Sequence, residues 1–357
     1  MNACPGKTPG RCFEILSINY KQKTINASEL LDEREKKMKS QNMTQLFGSL
    51  AATMMLAICT IAGAEELPAK ATVPVSMTVT ANVAANKRAP EISPDDVVVK
   101  QGKSRLQVTE WVPARGNRAG LELFILIDDT ADSRISLQYE DLRAFINAQP
   151  ASTLVGVGYM RNSTVQIAQD LTANHERAAG ALRLPLGYPG AYGSPYLSAV
   201  DLMKRWPAGP NRREILMVTD GIGRDRQNIG SHRGYRTDVD ADTASAVAQR
   251  TGTNIFSIYA PGGARVHHSY WAGVNGQMNM TRLSDSTGGA AFYLGLHSPV
   301  SIRPYLDQMQ TILDNQYLLS FSAKPGKRSG LQSVNLKTEV AGVDLAAHDA
   351  VWVAGVK

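Results

Sequence analysis

The chain has 357 residues, of which 43% are apolar and 20% charged, and these values are those of an ordinary globular protein. Its length allows one large domain with appendages or two small domains. The formal charge of +6 is weak evidence for nucleic-acid binding, because residues 1–64 hold eight of the basic and five of the acidic side chains, which leaves +3 for the rest. That excess is too small to indicate a polyanionic partner, and we expect no nucleic acid to bind.

An uncharged run near the N-terminus predicts a secretory signal peptide over residues 38–64. Lys39 precedes this run, Leu46–Ala64, which ends in small residues and is followed by two glutamates, so we expect cleavage near Ala64. An uncleaved anchor is the alternative, since the run is about as long as a bilayer span requires. We therefore expect a secreted or periplasmic protein without a stable membrane anchor after cleavage. Residues 1–37 are polar and precede the signal, and we interpret them as a non-native or disordered extension.

All three cysteines, Cys4, Cys12 and Cys59, lie before the expected cleavage point. The mature chain would then contain none. This excludes a disulfide, a thiolate metal site and a cysteine nucleophile from the secreted part.

Two segments precede the main alternating pattern. Residues 65–94 are rich in Ala, Val, Asn, Thr and Pro, and we interpret them as an extended linker. Residues 95–118 predict a β-hairpin arm, because two β-rich runs, Asp96–Lys100 and Arg105–Val112, surround a glycine turn.

Strand and helix patterns alternate over residues 119–315. Buried-strand patterns occur at Leu121–Asp128, Thr153–Met160, Glu214–Thr219 and Asn254–Tyr259, with a possible antiparallel partner at Thr164–Asp170 and a further strand at Gly289–Leu294. Helices are predicted at Ser136–Ala148, Asn174–Leu184, Pro195–Trp206, Val239–Thr251, Asn279–Ser286 and Ile302–Asp314. The alternation predicts an α/β fold with a doubly wound, mostly parallel sheet flanked by helices.

The pattern changes at residue 316. Three strands, Tyr317–Phe321, Gln332–Thr338 and Val351–Val353, are predicted with Lys-Pro-Gly and Gly-Val-Asp breaks between them. Residues 316–357 are thus expected to form a β-rich C-terminal extension.

Oxygen-bearing side chains follow two of the predicted strands and precede one helix. Asp128, Thr130 and Asp132 follow the first strand of the alternating region, Ser194 lies just before a helix, and Asp220 follows the strand ending at Thr219. Ligands in open α/β sheets bind beyond the carboxyl ends of the strands, so these loops could converge. Carboxylates and hydroxyls suit a hard cation, and Mg²⁺ or Mn²⁺ is the possible cofactor.

These residues make the chain similar to a von Willebrand factor A (VWA) domain of the bacterial secreted kind, over roughly Leu121–Phe321. The family's metal-ion-dependent adhesion site has Asp-x-Ser-x-Ser on a first loop, Thr on a second and Asp on a third. The resemblance places Asp128 at the first Asp, Thr130 and Asp132 at the two serines, Ser194 at the threonine and Asp220 at the last Asp. The first loop departs from the pattern, because Asp132 has a carboxylate where the family has a hydroxyl.

The resemblance implies a binding or adhesion module that recognises a protein partner through a metal ion, and not an enzyme. Two alternatives stay open: a metal-assisted hydrolase that uses the same acidic loops, and a structural envelope protein whose site is vestigial. Ser194 lies outside a Gly-x-Ser-x-Gly pattern, so a serine hydrolase has little support.

Overall fold

The computed structural model describes residues 72–83, 90–118, 120–187, 193–223, 234–262 and 270–355. The proposed signal peptide and the extension before it lie outside these residues. Within the described ranges, no helix combines the length and the apolar character that a membrane crossing requires.

A six-stranded sheet forms the centre of the α/β domain. Its strands are β4 (Leu121–Asp128), β5 (Thr153–Arg161), β6 (Thr164–Thr172), β7 (Arg212–Thr219), β8 (Thr253–Tyr259) and β9 (Ala291–Phe292). Their order is β6-β5-β4-β7-β8-β9, with β6 antiparallel to β5 and all other pairs parallel. Numbered within the domain, this is the doubly wound order 3-2-1-4-5-6, and it confirms the predicted fold class.

Helices cover both faces of this sheet. They are α1 (Tyr139–Asn147), α2 (His175–Gly180), α3 (Pro195–Arg205), α4 (Val239–Thr251), α5 (Tyr270–Ser286) and α6 (Arg303–Asp314). One hydrophobic core packs α1, α2 and α6 against one face, and a second packs α3, α4 and α5 against the other. Because both faces are buried, β4, β7 and β8 consist of nearly continuous apolar runs.

Several predicted boundaries were wrong. The helix predicted at Asn174–Leu184 is the six-residue α2. Helix α5 begins nine residues before the predicted start at Asn279. Glycine and asparagine interrupt the apolar spacing along the first half of α5, and tertiary packing outweighs the low helix propensity of such residues. β9 spans two residues and not six.

The remaining strands form one β-domain. They are β1 (Val73–Val83), β2 (Val97–Gln101), β3 (Ser104–Pro113), β10 (Gln316–Ala323), β11 (Gly330–Thr338), β12 (Val343–Ala347) and β13 (Ala350–Val353). Their order is β12-β1-β10-β3-β2-β11-β13, and every pair is antiparallel. β11 also contacts β12 and β1 contacts β13, so the sheet folds over its own hydrophobic core.

The linker interpretation was therefore wrong for Val73–Val83. Apolar residues alternate along this segment, and Met77, Val79 and Ala81 are buried between β10 and β12. The predicted hairpin is confirmed as β2 and β3, but it lies inside the sheet and is not a separate arm. The predicted break at Gly-Val-Asp was also wrong, because β12 begins at Val343.

Candidate functional site

The parallel register of β4 and β7 brings the first and third predicted loops together. Ile127 pairs with Val218, so the last residue of β4, Asp128, lies beside Thr219 at the end of β7. The Thr219 hydroxyl donates a 2.7 Å hydrogen bond to Asp128 Oδ2. Asp220 follows immediately, and both carboxylates are almost fully buried. Two of the three acidic positions of the predicted site are thus held at one edge of the sheet.

Thr130 lies where the sequence placed it, next to Asp128. Its backbone N–H and its hydroxyl both donate to Asp128 Oδ1, at 2.9 and 2.7 Å. The threonine therefore fixes the orientation of the carboxylate and keeps a hydroxyl oxygen at the site, as a serine would. Thr130 itself is buried.

Asp132 has different partners. Its carboxylate caps the 3-10 turn Ser133–Gln138 by accepting from Arg134 N, and it receives two hydrogen bonds from the Arg134 guanidinium, at 3.0 and 2.8 Å. These hydrogen bonds hold the pKa of Asp132 below its ordinary value. The structure thus commits Asp132 to a bidentate ion pair, which competes with any cation for the same oxygens.

Ser194 is buried at the start of α3 and caps that helix. Its hydroxyl accepts from Leu197 N at 3.4 Å, and its own N–H donates to Ser163 Oγ at 3.0 Å. On the third loop, the residue near Ser194 is Gly223. A Cβ at Gly223 would lie 3.9 Å from Ser194 Oγ, so the second and third loops approach each other here.

Tyr196, in the first turn of α3, connects these loops. Its hydroxyl donates to Gly221 O at 2.8 Å, in the residue that follows Asp220. Burial raises the pKa of Tyr196 well above its ordinary value, and the negative charges of Asp238, Asp220 and Asp128 raise it further. The phenol therefore stays neutral, and it lies within the field of three carboxylates.

The backbone of Asp220 is held by helix α5. A Cβ at Gly276 would lie 2.1 Å from Asp220 O, so only glycine lets the helix approach this closely. Gly221 adopts φ 68°, which a residue with a side chain rarely does, and its N–H donates to Thr219 Oγ1 at 3.1 Å. The Thr-Asp-Gly sequence thus makes a tight turn, in which the Asp220 carboxylate accepts a hydrogen bond from Ile222 N at 3.0 Å.

An ion pair beside the site was not predicted from the sequence. The fully buried Asp129 receives two hydrogen bonds from Arg183, at 2.7 and 3.0 Å, and a third from Leu186 N. The Arg183 guanidinium also lies 3.6 Å from the centre of the Tyr159 ring. This pair fixes the segment that follows α2, and no local sequence pattern connects residues 54 positions apart.

The donor set fits a hard divalent cation at four of the five predicted positions. Asp128, Thr130, Ser194 and Asp220 offer only carboxylate and hydroxyl oxygens, which Mg²⁺ and Mn²⁺ prefer. Among the residues that the structure describes, no group of three or more His, Cys, Asp or Glu side chains could hold a metal ion. Any cation here would therefore rely on two acids plus hydroxyls.

The strand order, the antiparallel edge strand and the helices on both faces are those of the family that the sequence resembles. The α/β domain has a VWA-like fold. No family model matches the chain, and no curated protein matches it.

Solved structures similar to this chain include an aerotolerance-related membrane protein from Bacteroides fragilis, at 11% identity over 55% of this chain and 99% of that one, with a TM-score of 0.39. The chain is also similar to the SpRpn10 VWA domain, at 11% identity over 53% and 93%, with a TM-score of 0.35. The ArnB paralog VWA2 from Sulfolobus acidocaldarius is 9% identical over 80% and 76%, with a TM-score of 0.35.

Proposed function

We propose that this protein is a VWA-like binding module that recognises a protein partner through a divalent cation at the carboxyl edge of the α/β sheet. The observation that carries the proposal is the hydrogen-bonded group of Asp128, Thr130 and Thr219, with Asp220 directly beside it. These residues come from two loops that are 91 positions apart, and hydroxyl groups orient the buried Asp128 carboxylate.

In this proposal Asp128, Thr130, Ser194 and Asp220 hold the cation, directly or through water. The cation, when bound, supplies an open coordination position for an acidic group of the partner. Thr219 keeps Asp128 in place, and Tyr196 supports the turn at Gly221. Asp132 is assigned no role in this proposal, since it forms an ion pair with Arg134.

Calorimetric titration of the full chain with MnCl₂ or MgCl₂ tests the cation site directly. We expect saturable binding that chelator reverses and that Asp220→Ala abolishes. An envelope extract passed over the immobilised protein, with and without chelator, then tests partner recognition. A partner retained equally in chelator and by Asp220→Ala would refute metal-bridged binding, and a wild-type chain without metal binding would favour the vestigial site.

Secretion is part of the same proposal. The apolar run before Glu65 supports export, and the described residues contain no cysteine. N-terminal sequencing of the protein from fractionated cells tests it, with a mature start near Glu65 in the periplasm or medium as the expected result. A retained N-terminal segment in the cytoplasmic fraction would contradict it.

A further inference from the structure

A third acidic side chain, Asp238, lies next to Gly223 on the third loop and is not among the five predicted positions. Asp238 is the N-cap of α4, and its Oδ1 accepts from Asp240 N at 2.9 Å. Its backbone N–H donates to Asn279 Oδ1 at 3.1 Å, so α5 also fixes its position. The start of α4 therefore holds the side chain, and α5 holds the backbone.

The other carboxylate oxygen faces the gap between the second and third loops. A Cβ at Gly223 would lie 3.2 Å from Asp238 Oδ2, and the same Cβ would lie 3.9 Å from Ser194 Oγ. Any side chain larger than glycine would fill this space. Gly223 thus leaves a gap that Ser194 borders on one side and Asp238 on the other.

Asp238 and the two acids of the proposed site share one buried neighbour, whose pKa all three raise. Asp238, Asp220 and Asp128 all act on the phenol of Tyr196, two residues after Ser194. On the first loop, in contrast, Asp132 is bound to Arg134 and Asp129 to Arg183. Among the described residues, Asp238 is therefore an acid that can add charge at this edge.

We propose that Asp238 supplies the third negative charge of the cation site, the contribution that Asp132 would make if Arg134 did not bind it. This inference rests on the proposed function. Asp238 acts on the cation through its charge and not as a direct ligand, since the described residues contain no three-acid cluster close enough for direct ligation. Ligand charge count and outer carboxylates both tune the affinity of a protein for divalent cations.

Asp238→Asn tests this role, because asparagine caps a helix about as well as aspartate and removes only the charge. The matched control is Asp240→Asn, which removes a charge from the same helical turn. Calorimetric titration of the full chain with MnCl₂ should show Kd weakened roughly 10- to 100-fold in Asp238→Asn and little changed in Asp240→Asn. Thermal unfolding in chelator should be the same for wild type and Asp238→Asn, which shows that the fold is intact.

The outcomes separate the two proposals. Wild-type affinity in Asp238→Asn, while Asp220→Ala loses binding, would overturn the role of Asp238 and leave the proposed function standing. Equal weakening in Asp238→Asn and Asp240→Asn would also overturn it, because the effect would then belong to the helix end and not to this carboxylate. No Mn²⁺ binding by the wild type would refute both the proposed function and the role of Asp238.

Discussion

The burial of His348 leads us to expect a loss of folding stability in mild acid. His348 lies in the turn between β12 and β13, where that turn packs against the α/β domain, and it is 2% exposed. Its Nε2 lies 3.0 Å from Asn254 Oδ1, to which the neutral ring donates. Its Nδ1 is buried without a hydrogen-bond partner among the described residues. Protonation would place a buried N–H and a positive charge there.

The size and sign of the effect follow from the pKa of this ring. Burial lowers the pKa of His348 from 6.5 to about 4. The unfolded chain therefore takes up a proton between pH 6.5 and 4 while the folded chain does not, so stability falls as the pH falls through this window. At pH 5 the cost is about 2 kcal/mol relative to pH 7.5, and it reaches about 3 kcal/mol near pH 4.

Urea unfolding at pH 7.5 and pH 5.0 measures this cost when the wild type is compared with His348→Gln. Glutamine can donate to Asn254 but does not titrate, so the variant should lose about 2 kcal/mol less than the wild type. His297→Gln removes an exposed histidine and should retain the wild-type difference. If wild type and His348→Gln lost the same amount, the buried ring would not be the cause and the reasoning would fail.

Three further variants test other contacts by urea unfolding. Asp129→Asn removes the carboxylate that Arg183 binds and should cost about 1–3 kcal/mol, because a buried group loses a charged partner. Glu214→Gln removes a buried carboxyl whose pKa burial raises from 4.5 to about 7. The wild type should therefore lose about 3 kcal/mol relative to this variant as pH rises from 4.5 to 8. Thr219→Val keeps the shape but removes the hydrogen bond to Asp128, and should cost about 1–3 kcal/mol and weaken Mn²⁺ binding about tenfold.

Each of these three predictions has an outcome that would contradict it. Arg134→Ala breaks an exposed ion pair and should cost at most about 1 kcal/mol. If Asp129→Asn cost no more than Arg134→Ala, the buried Asp129–Arg183 pair would contribute no more to stability than an exposed one. A Glu214→Gln difference that did not change with pH would place the pKa of that carboxyl near its ordinary value. Unchanged Mn²⁺ affinity in Thr219→Val would show that the hydroxyl does not position Asp128.

The α/β domain could be predicted because the local pattern of apolar residues indicates which strands are buried. β4, β7 and β8 are covered on both faces, so each consists of a nearly continuous apolar run. The β-domain was harder to predict. β1 pairs with β10, more than 230 residues away in the chain, and its alternating pattern without turn signals did not distinguish it from an extended linker.

The sequence by itself determined which residues could hold a cation, since the chemistry of Asp128, Thr130, Ser194 and Asp220 depends only on residue type. Only the tertiary structure decided which acids work together. Asp132 was lost to Arg134, two residues away, because the 3-10 turn orients both side chains toward each other. Asp238 lies near the third loop because α4 begins beside Gly223, and Arg183 reaches Asp129 across 54 residues. The placements of Asp238 and Arg183 follow from how helices pack on the sheet, and no pattern in the neighbouring residues contains that information.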